Sequence, residues 1–179
     1  MDETLKNIEK IFRISSSPNE LFDSFEEALK HRISDIQMYK ILLGNPALSS
    51  DEVKMYSEKL IKEFPQGSIE TMMWTGKIFE NQKENLQSLE DSLRYYQRAF
   101  FENPTNETAL LQIFNLYNYD FDSPLNNKII DFVESSVVTI DRKSSVYYKL
   151  AEHFKQKNQI NKAARYLALA EKSAERERD

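Results

Sequence analysis

Residues 144–176 read SSVYYKLAEHFKQKNQINKAARYLALAEKSAER and predict two helices joined by a short turn. Apolar residues recur in both halves at intervals of three and four, which places them on one face of each helix. They are Tyr147, Leu150, Ala151 and Phe154 in the first half and Ala163, Leu167 and Ala170 in the second. This stretch therefore predicts a pair of helices that pack against each other through these faces.

The pattern resembles one unit of the tetratricopeptide repeat family, which has 34 residues folded as two helices. Counted from Ser144, these seven residues fall at the family's aromatic, leucine and small-residue positions. Asn158 stands in the turn where glycine is usual, and Asn tolerates the left-handed backbone that such a turn needs. Glu175 replaces the usual proline, and the charged residues after it resemble the polar face that caps a repeat array. The resemblance implies a helical scaffold that binds other proteins.

Weaker copies of the second helix precede this unit along the chain. Their landmark positions are Ala28, Leu60, Ala99, Ser136 and Ala170, which follow one another at steps of 32, 39, 37 and 34 residues. Irregular steps of this size indicate degenerate repeats with short insertions. The family resemblance then implies about five antiparallel helix pairs stacked into a right-handed superhelix.

Signals for the starts and ends of helices agree with this series of repeats. The N-terminal signals are Ser17-Pro18, Ser49 with Glu52, and Ser123-Pro124, where a hydroxyl can cap the helix. Prolines at 46, 65 and 104 follow the ends of helices. The predicted helices lie near 2–13, 18–32, 34–43, 50–64, 69–82, 88–102, 106–118, 124–139, 144–157 and 160–176. The sequence thus predicts an all-α fold in a single domain over residues 1–179.

Composition predicts a folded chain and excludes several functions. Of the 179 residues 40% are hydrophobic and 30% charged, with three Gly and no Cys, which rules out disulfides and thiol catalysis. A net charge of -5 argues against broad binding of a nucleic-acid backbone. Neither an apolar run long enough for a membrane span nor a signal peptide is visible, so we expect a cytoplasmic protein.

Catalytic and metal-binding patterns are weak. His31 and His153 are the only histidines, and neither has the helical partner of a zinc site. The turn at residues 120–122 with Asp131 is similar to a calcium loop, but Leu125 occupies the position that needs glycine. We therefore expect no enzyme activity, no metal and no cofactor.

The resemblance also implies where a partner would bind. In the family, the first helices of successive repeats line a concave groove, and positions two, five, nine and twelve project into it. The corresponding candidates here are Met73, Lys77, Leu111, Asn115, Ser145, Tyr148, Glu152 and Lys155. We expect Met73, Leu111 and Tyr148 to supply apolar anchors, and the polar members to orient a peptide or helix of a partner protein. Packing against adjacent helices is the alternative role for each residue.

Two further motifs of repeat proteins can be compared with this sequence. The carboxylate clamp of chaperone-tail binders is not reproduced, since Met73 and Lys77 occupy the first two clamp positions. A half-a-TPR motif of RNA-processing scaffolds is similar to residues 74–104, with Trp74 at its start, although the spacings differ by about one residue. The alternative to a peptide-binding adaptor is therefore a scaffold subunit of a larger assembly, including a self-associating one.

Overall fold

The computed structural model describes residues 3–82, 85–120 and 123–178, and all regular structure in these ranges is helical. The helices are α1 Glu3–Ile14, α2 Pro18–Lys30, α3 Ile36–Leu43, α4 Ser50–Glu63, α5 Ser68–Glu80, α6 Leu86–Glu102, α7 Glu107–Asn115, α8 Pro124–Ser136, α9 Ser144–Gln156 and α10 Ile160–Arg176. A single 3-10 turn, Pro65–Gly67, precedes α5. The all-α prediction is confirmed, and each of these helices overlaps one of the predicted segments.

The predicted N-caps fix the starts of three helices. Ser17 caps α2, Ser123 caps α8, and Ser49 forms a capping box with Glu52 at α4. The Ser49 backbone N–H donates to the Glu52 carboxylate at 2.7 Å, and the Glu52 N–H donates back to the Ser49 hydroxyl. These bonds satisfy N–H groups that have no partner inside the helix.

Helices α7 and α8 each end three residues before their predicted limits. After α7, the side-chain amide of Asn126 donates to the Asn118 carbonyl at 2.7 Å and accepts from the Asn118 N–H at 3.0 Å. This long-range bond replaces the next turn of helix. After α8 the chain continues as Val137, Val138 and Thr139, three β-branched residues with low helix propensity, and the Thr139 hydroxyl donates to the Pro104 carbonyl.

The helices form two compact units, Met1–Tyr95 and Tyr96–Asp179, with the boundary inside α6. In the first unit α1 contacts α2 and α3, and α3 contacts α4 and α5, which also touches α4. We call α1, α3, α5, α7 and α9 the first helices of their predicted pairs. In this unit the first helices α1, α3 and α5 lie next to one another, and the second helices α2 and α4 pack against them. The single-domain count stays a prediction.

Aromatic residues fill the core of the first unit. Phe25 of α2 lies 4.6 Å from Tyr56 and 6.0 Å from Tyr39, measured between ring centroids, with both pairs edge-on. Burial, followed by the charge of Glu52, raises the pKa of Tyr56 to about 12. Such rings bury large apolar areas, so this cluster holds α2, α3 and α4 together.

A buried ion pair joins α4 and α6 within the first unit. The Asp91 carboxylate is almost fully buried and accepts from Lys54 at 2.5 Å and from Arg94 at 3.0 Å. An unpaired buried carboxylate would be costly, so the contacts with Lys54 and Arg94 offset the cost of burying Asp91.

In the second unit α7 contacts α8 and α9, and α9 packs closely on α10. The turn between α9 and α10 contains Asn158 with φ of 58°, the left-handed conformation predicted for it. The Gln159 N–H donates back to the Phe154 carbonyl at 2.8 Å and closes the end of α9. Sequence and structure agree on this turn.

The charged residues at the end of α10 include one that contacts the start of α9. The Glu177 carboxylate accepts from the backbone N–H groups of Lys143 at 2.7 Å and Ser144 at 3.0 Å, and from the Ser144 hydroxyl. It therefore caps the N-terminus of α9, where no residue of α9 itself provides a side-chain cap. Partial burial acts to raise the pKa of Glu177, but these hydrogen bonds outweigh it and hold the pKa below its usual value.

Candidate functional site

Helices α7 and α9 of the second unit lie side by side and present six of the eight predicted groove residues. The Lys149 ammonium donates to the Asn115 side-chain oxygen at 2.9 Å. After the end of α7, the Tyr119 hydroxyl lies 3.0 Å from Nδ1 of His153 on α9. Both contacts join residues that are 34 positions apart. The two helices are thus held in register by equivalent residues, one repeat length apart.

Four of the predicted residues lie on α9. Tyr148 is 44% exposed, and Glu152 and Lys155 are also exposed. Residues four and seven apart share one face of a helix, so these three side chains point in similar directions. The Ser145 hydroxyl, in contrast, is enclosed and has no hydrogen-bond partner among the described residues. Its predicted contact with a ligand would need a different side-chain rotamer.

The two predicted residues on α7 differ in exposure. Leu111 is half-buried, whereas Asn115 is exposed and holds Lys149. The Lys149 ammonium also lies 5.7 Å from the centre of the Phe114 ring, within the range of a cation–π contact. Leu111 therefore offers a partly exposed apolar side chain beside a fixed pair of polar groups.

A cluster of aromatic rings around His153 packs behind this surface. The sequence did not predict this cluster. His153 is buried, and its ring lies 4.6 Å from Tyr117, 5.0 Å from Phe154, 5.6 Å from Tyr119 and 5.9 Å from Phe114. Burial, and then the charge of Lys157, lower the pKa of His153, so the neutral ring is favoured. The sequence predicted only that His153 is a surface or packing residue. The 34-residue separation from Tyr119 was the signal that could have identified its partner.

The other two predicted residues, Met73 and Lys77, lie on α5 in the first unit. Met73 is half-buried, and the exposed Lys77 donates to the carboxylate of Glu80 at 2.9 Å. They are one helical turn apart and share a face.

The neighbouring contact between α3 and α5 repeats the pattern of the second unit. The Trp74 indole N–H donates to the Lys40 carbonyl at 3.0 Å, again across 34 positions, and the Lys40 ammonium binds Glu70 at 2.5 Å. The hydrogen bond from Lys40 is the main reason that the pKa of Glu70 is lower than usual. Trp74 is partly buried between α3 and α5.

The chemistry of the surface on α7 and α9 suits recognition of a polypeptide. It combines an exposed phenol ring, a half-buried leucine, an amide, a carboxylate and two ammonium groups. These groups can contact apolar side chains and form hydrogen bonds with polar ones. The described ranges contain no group of three or more His, Asp or Glu placed to hold a metal ion. Two residues of the calcium-like turn, Phe121 and Asp122, lie outside the described ranges.

Comparisons with models of protein families, with curated proteins and with solved structures found no match to this chain. Within the described residues, no helix has the length and apolar character needed to cross a membrane. The regular structure of the described residues is helical, and hydrogen bonds between residues 34 positions apart link α3 with α5 and α7 with α9.

Proposed function

We propose that this chain is a degenerate tetratricopeptide-like array, a right-handed superhelix of helix pairs that acts as a non-catalytic adaptor. Its partner is a peptide or helix of another protein, bound along the exposed face of the first helices. The surface on α7 and α9, with Leu111, Asn115, Tyr148, Glu152 and Lys155, is the main contact. Met73 and Lys77 on α5 extend the same type of face in the first unit.

The recurrence of contacts across one repeat length is the observation that supports this proposal best. Lys40 with Trp74, Asn115 with Lys149, and Tyr119 with His153 each span 34 residues, the length of the tetratricopeptide unit. Two of these pairs join neighbouring first helices, α3 with α5 and α7 with α9, and in the third Tyr119 lies in the segment after α7 and reaches His153 on α9. A repeating unit of 34 residues predicts contacts at this separation.

Preorganisation supports binding on α7 and α9 in particular. Hydrogen bonds and the aromatic cluster around His153 fix the two helices before any partner arrives. A surface that is already ordered loses less side-chain entropy on binding, which leaves more of the contact energy for affinity. Tyr148 is the best candidate for an anchor, because tyrosine is enriched among the residues that dominate binding energy.

The test is affinity purification of the chain from its native cell, followed by identification of bound proteins and measurement of their affinity. Replacing both Tyr148 and Glu152 with Ala should lower the affinity for the main partner at least about tenfold. The melting temperature should change little, because both side chains are exposed.

The matched control replaces Asp131 and Val138 with Ala, two exposed residues on and after α8. This control should bind like the wild type. Equal affinities for the two double variants, with both folded, would contradict the proposed site. Recovery of only nucleic acid or a small metabolite would contradict the proposed class of function.

A further inference from the structure

His153 is a titratable residue that lies inside the contact between α9 and the chain of α7. It is only 3% exposed, and Nδ1 of its ring lies 3.0 Å from the Tyr119 hydroxyl. Histidine is the side chain whose ordinary pKa lies between pH 5 and 8, so its charge changes under mild conditions. A proton that binds to His153 therefore brings a positive charge into a packed contact.

The aromatic rings around His153 already hold lysine ammonium groups. Three of the four rings carry one over the ring face, at distances to the centroid of 5.7 Å for Lys149 and Phe114, 5.5 Å for Lys157 and Tyr117, and 4.3 Å for Lys162 and Phe154. The face of an aromatic ring attracts a cation. Because lysines already make these contacts, a protonated His153 would be a fourth cation in the same cluster.

Carboxylates do not balance this charge. Glu134 of α8 acts on His153 as an opposite charge, but its carboxylate already accepts from the Tyr166 hydroxyl at 2.6 Å and from the Lys162 ammonium at 3.2 Å. Glu152, the neighbour of His153 on α9, is exposed, so solvent screens its charge. Among the described residues His153 forms no ion pair with either glutamate. A proton on His153 would therefore have no bound counter-charge.

We propose that His153 is a pH-sensitive switch, which keeps α7 and α9 packed while its ring is neutral and loosens their contact when the ring gains a proton. The bond to Tyr119 is not the cause, because the phenol oxygen can accept from a protonated Nδ1. The cause is the cost of a buried charge beside three lysines.

The direction of the pH dependence follows from the folded state of His153. Burial, and then the charge of Lys157, hold the pKa of His153 below its ordinary value of 6.5. The packed contact is thus fully stable above pH 6.5, and stability is lost as the pH falls from 6.5 through the lower folded pKa, because the loosened form binds the proton more readily. The Glu177 cap is complete above pH 4.5, so the two effects occupy different pH ranges.

Proton NMR of His31→Gln tests the charge of His153. The chain has two histidines, so His153 is then the only imidazole and its ring signals need no assignment. These signals should titrate with a midpoint below pH 6.5. A midpoint at or above 6.5 would overturn the proposal.

Hydrogen exchange measures the loosening itself, without any partner. Protection of the α7 and α9 amides, corrected for intrinsic exchange rates, should fall at least about threefold in the wild type between pH 7.5 and 5.5. His153→Phe fills a similar space and cannot be protonated, so it should abolish this fall, whereas the control His31→Gln should retain it. Unchanged protection in the wild type would overturn the proposal, and so would an equal fall in His153→Phe.

Regulation of the surface on α7 and α9 rests on the proposed adaptor function. Partner affinity should fall over the same pH range in the wild type and in His31→Gln, but not in His153→Phe. A pH-independent affinity of the wild type would overturn this regulation. The NMR and exchange experiments need no partner, so their results stand separately from those that test the adaptor function.

Discussion

At the scale of single residues, Asn158 shows how a local sequence signal can fix a turn. Its φ of 58° is a conformation that costs most residues with a side chain roughly 1 kcal/mol or more, whereas Asn and Gly adopt it readily. Replacing Asn158 with Ala should therefore lower the free energy of unfolding by about 1 kcal/mol, and Gly should be tolerated. Urea unfolding of the three proteins measures this difference.

Asn161→Ala, in helical backbone on the exposed side of α10, is the control and should be neutral. An Asn158→Ala variant as stable as the wild type would contradict the role of this turn.

Gly67 illustrates a constraint that comes from packing instead of backbone conformation. A Cβ at this position would lie 2.6 Å from Cγ1 and Cδ1 of Ile36. Gly67→Ala should lower the free energy of unfolding by about 1–3 kcal/mol, because Ile36 or the backbone must move.

A double-mutant cycle checks this cause. Replacing Ile36 with Ala removes both contacting atoms, so adding Gly67→Ala to that variant should cost much less than it does in the wild type. Additive losses from the two substitutions would show that another interaction is responsible.

At the scale of elements, Glu177 makes the stability of α9 depend on pH. Its folded pKa is lower than usual, so folding favours the charged carboxylate. This contribution is complete above the ordinary pKa of 4.5 and is lost as the pH falls through the lower folded value. Glu177→Gln should be less stable by about 1 kcal/mol at pH 7, the usual contribution of a helix N-cap. The difference should shrink as the pH falls below 4.5 and through the lower folded pKa.

Thermal unfolding of the wild type and of Glu177→Gln, at pH 7 and at a series of lower pH values, measures the effect. Glu175→Gln provides the control, because Glu175 is exposed two residues earlier and binds no described side chain. Its difference from the wild type should be small and should not follow the same curve. A Glu177→Gln variant with the same pH profile as Glu175→Gln would rule out the cap.

The helices themselves could be predicted from sequence because their signals are local. Apolar spacing predicts the buried face of most helices, and the caps at Ser49 and Ser123 lie within three residues of the groups they bind. In α10 the prediction is wrong for Leu167, which is 44% exposed. Contacts between distant residues could not be predicted in this way. The Glu177 cap, the Asn126 bonds that shorten α7, and the pairing of Asp91 with Lys54 all depend on tertiary positions that no local pattern encodes.

The same distinction applies to the candidate site. Exposure of Tyr148, Glu152 and Lys155 follows from their helical spacing and could be predicted. The enclosed hydroxyl of Ser145 could not, since it depends on how neighbouring side chains pack. The support provided by His153 was also missed. The repeat length of 34 residues pointed to Tyr119, but no local pattern shows that a histidine packs among four aromatic rings.

At the scale of the whole molecule, we propose that neighbouring first helices, spaced by a repeat length, present a surface for a partner protein. Two compact units each contain such neighbouring first helices, α1, α3 and α5 in one and α7 and α9 in the other. Adaptor function needs no catalytic group. It needs a preformed surface, and the structure offers one on α7 and α9.

Site-specific photo-crosslinking in the native cell tests this claim most directly. A photoreactive phenylalanine analogue is placed at Tyr148, at Leu111, or at Val138 as the control, and the adducts are identified by mass spectrometry. We expect positions 148 and 111 to capture the same partner protein and position 138 not to capture it. Capture of that protein only from position 138, or equally from all three positions, would contradict it.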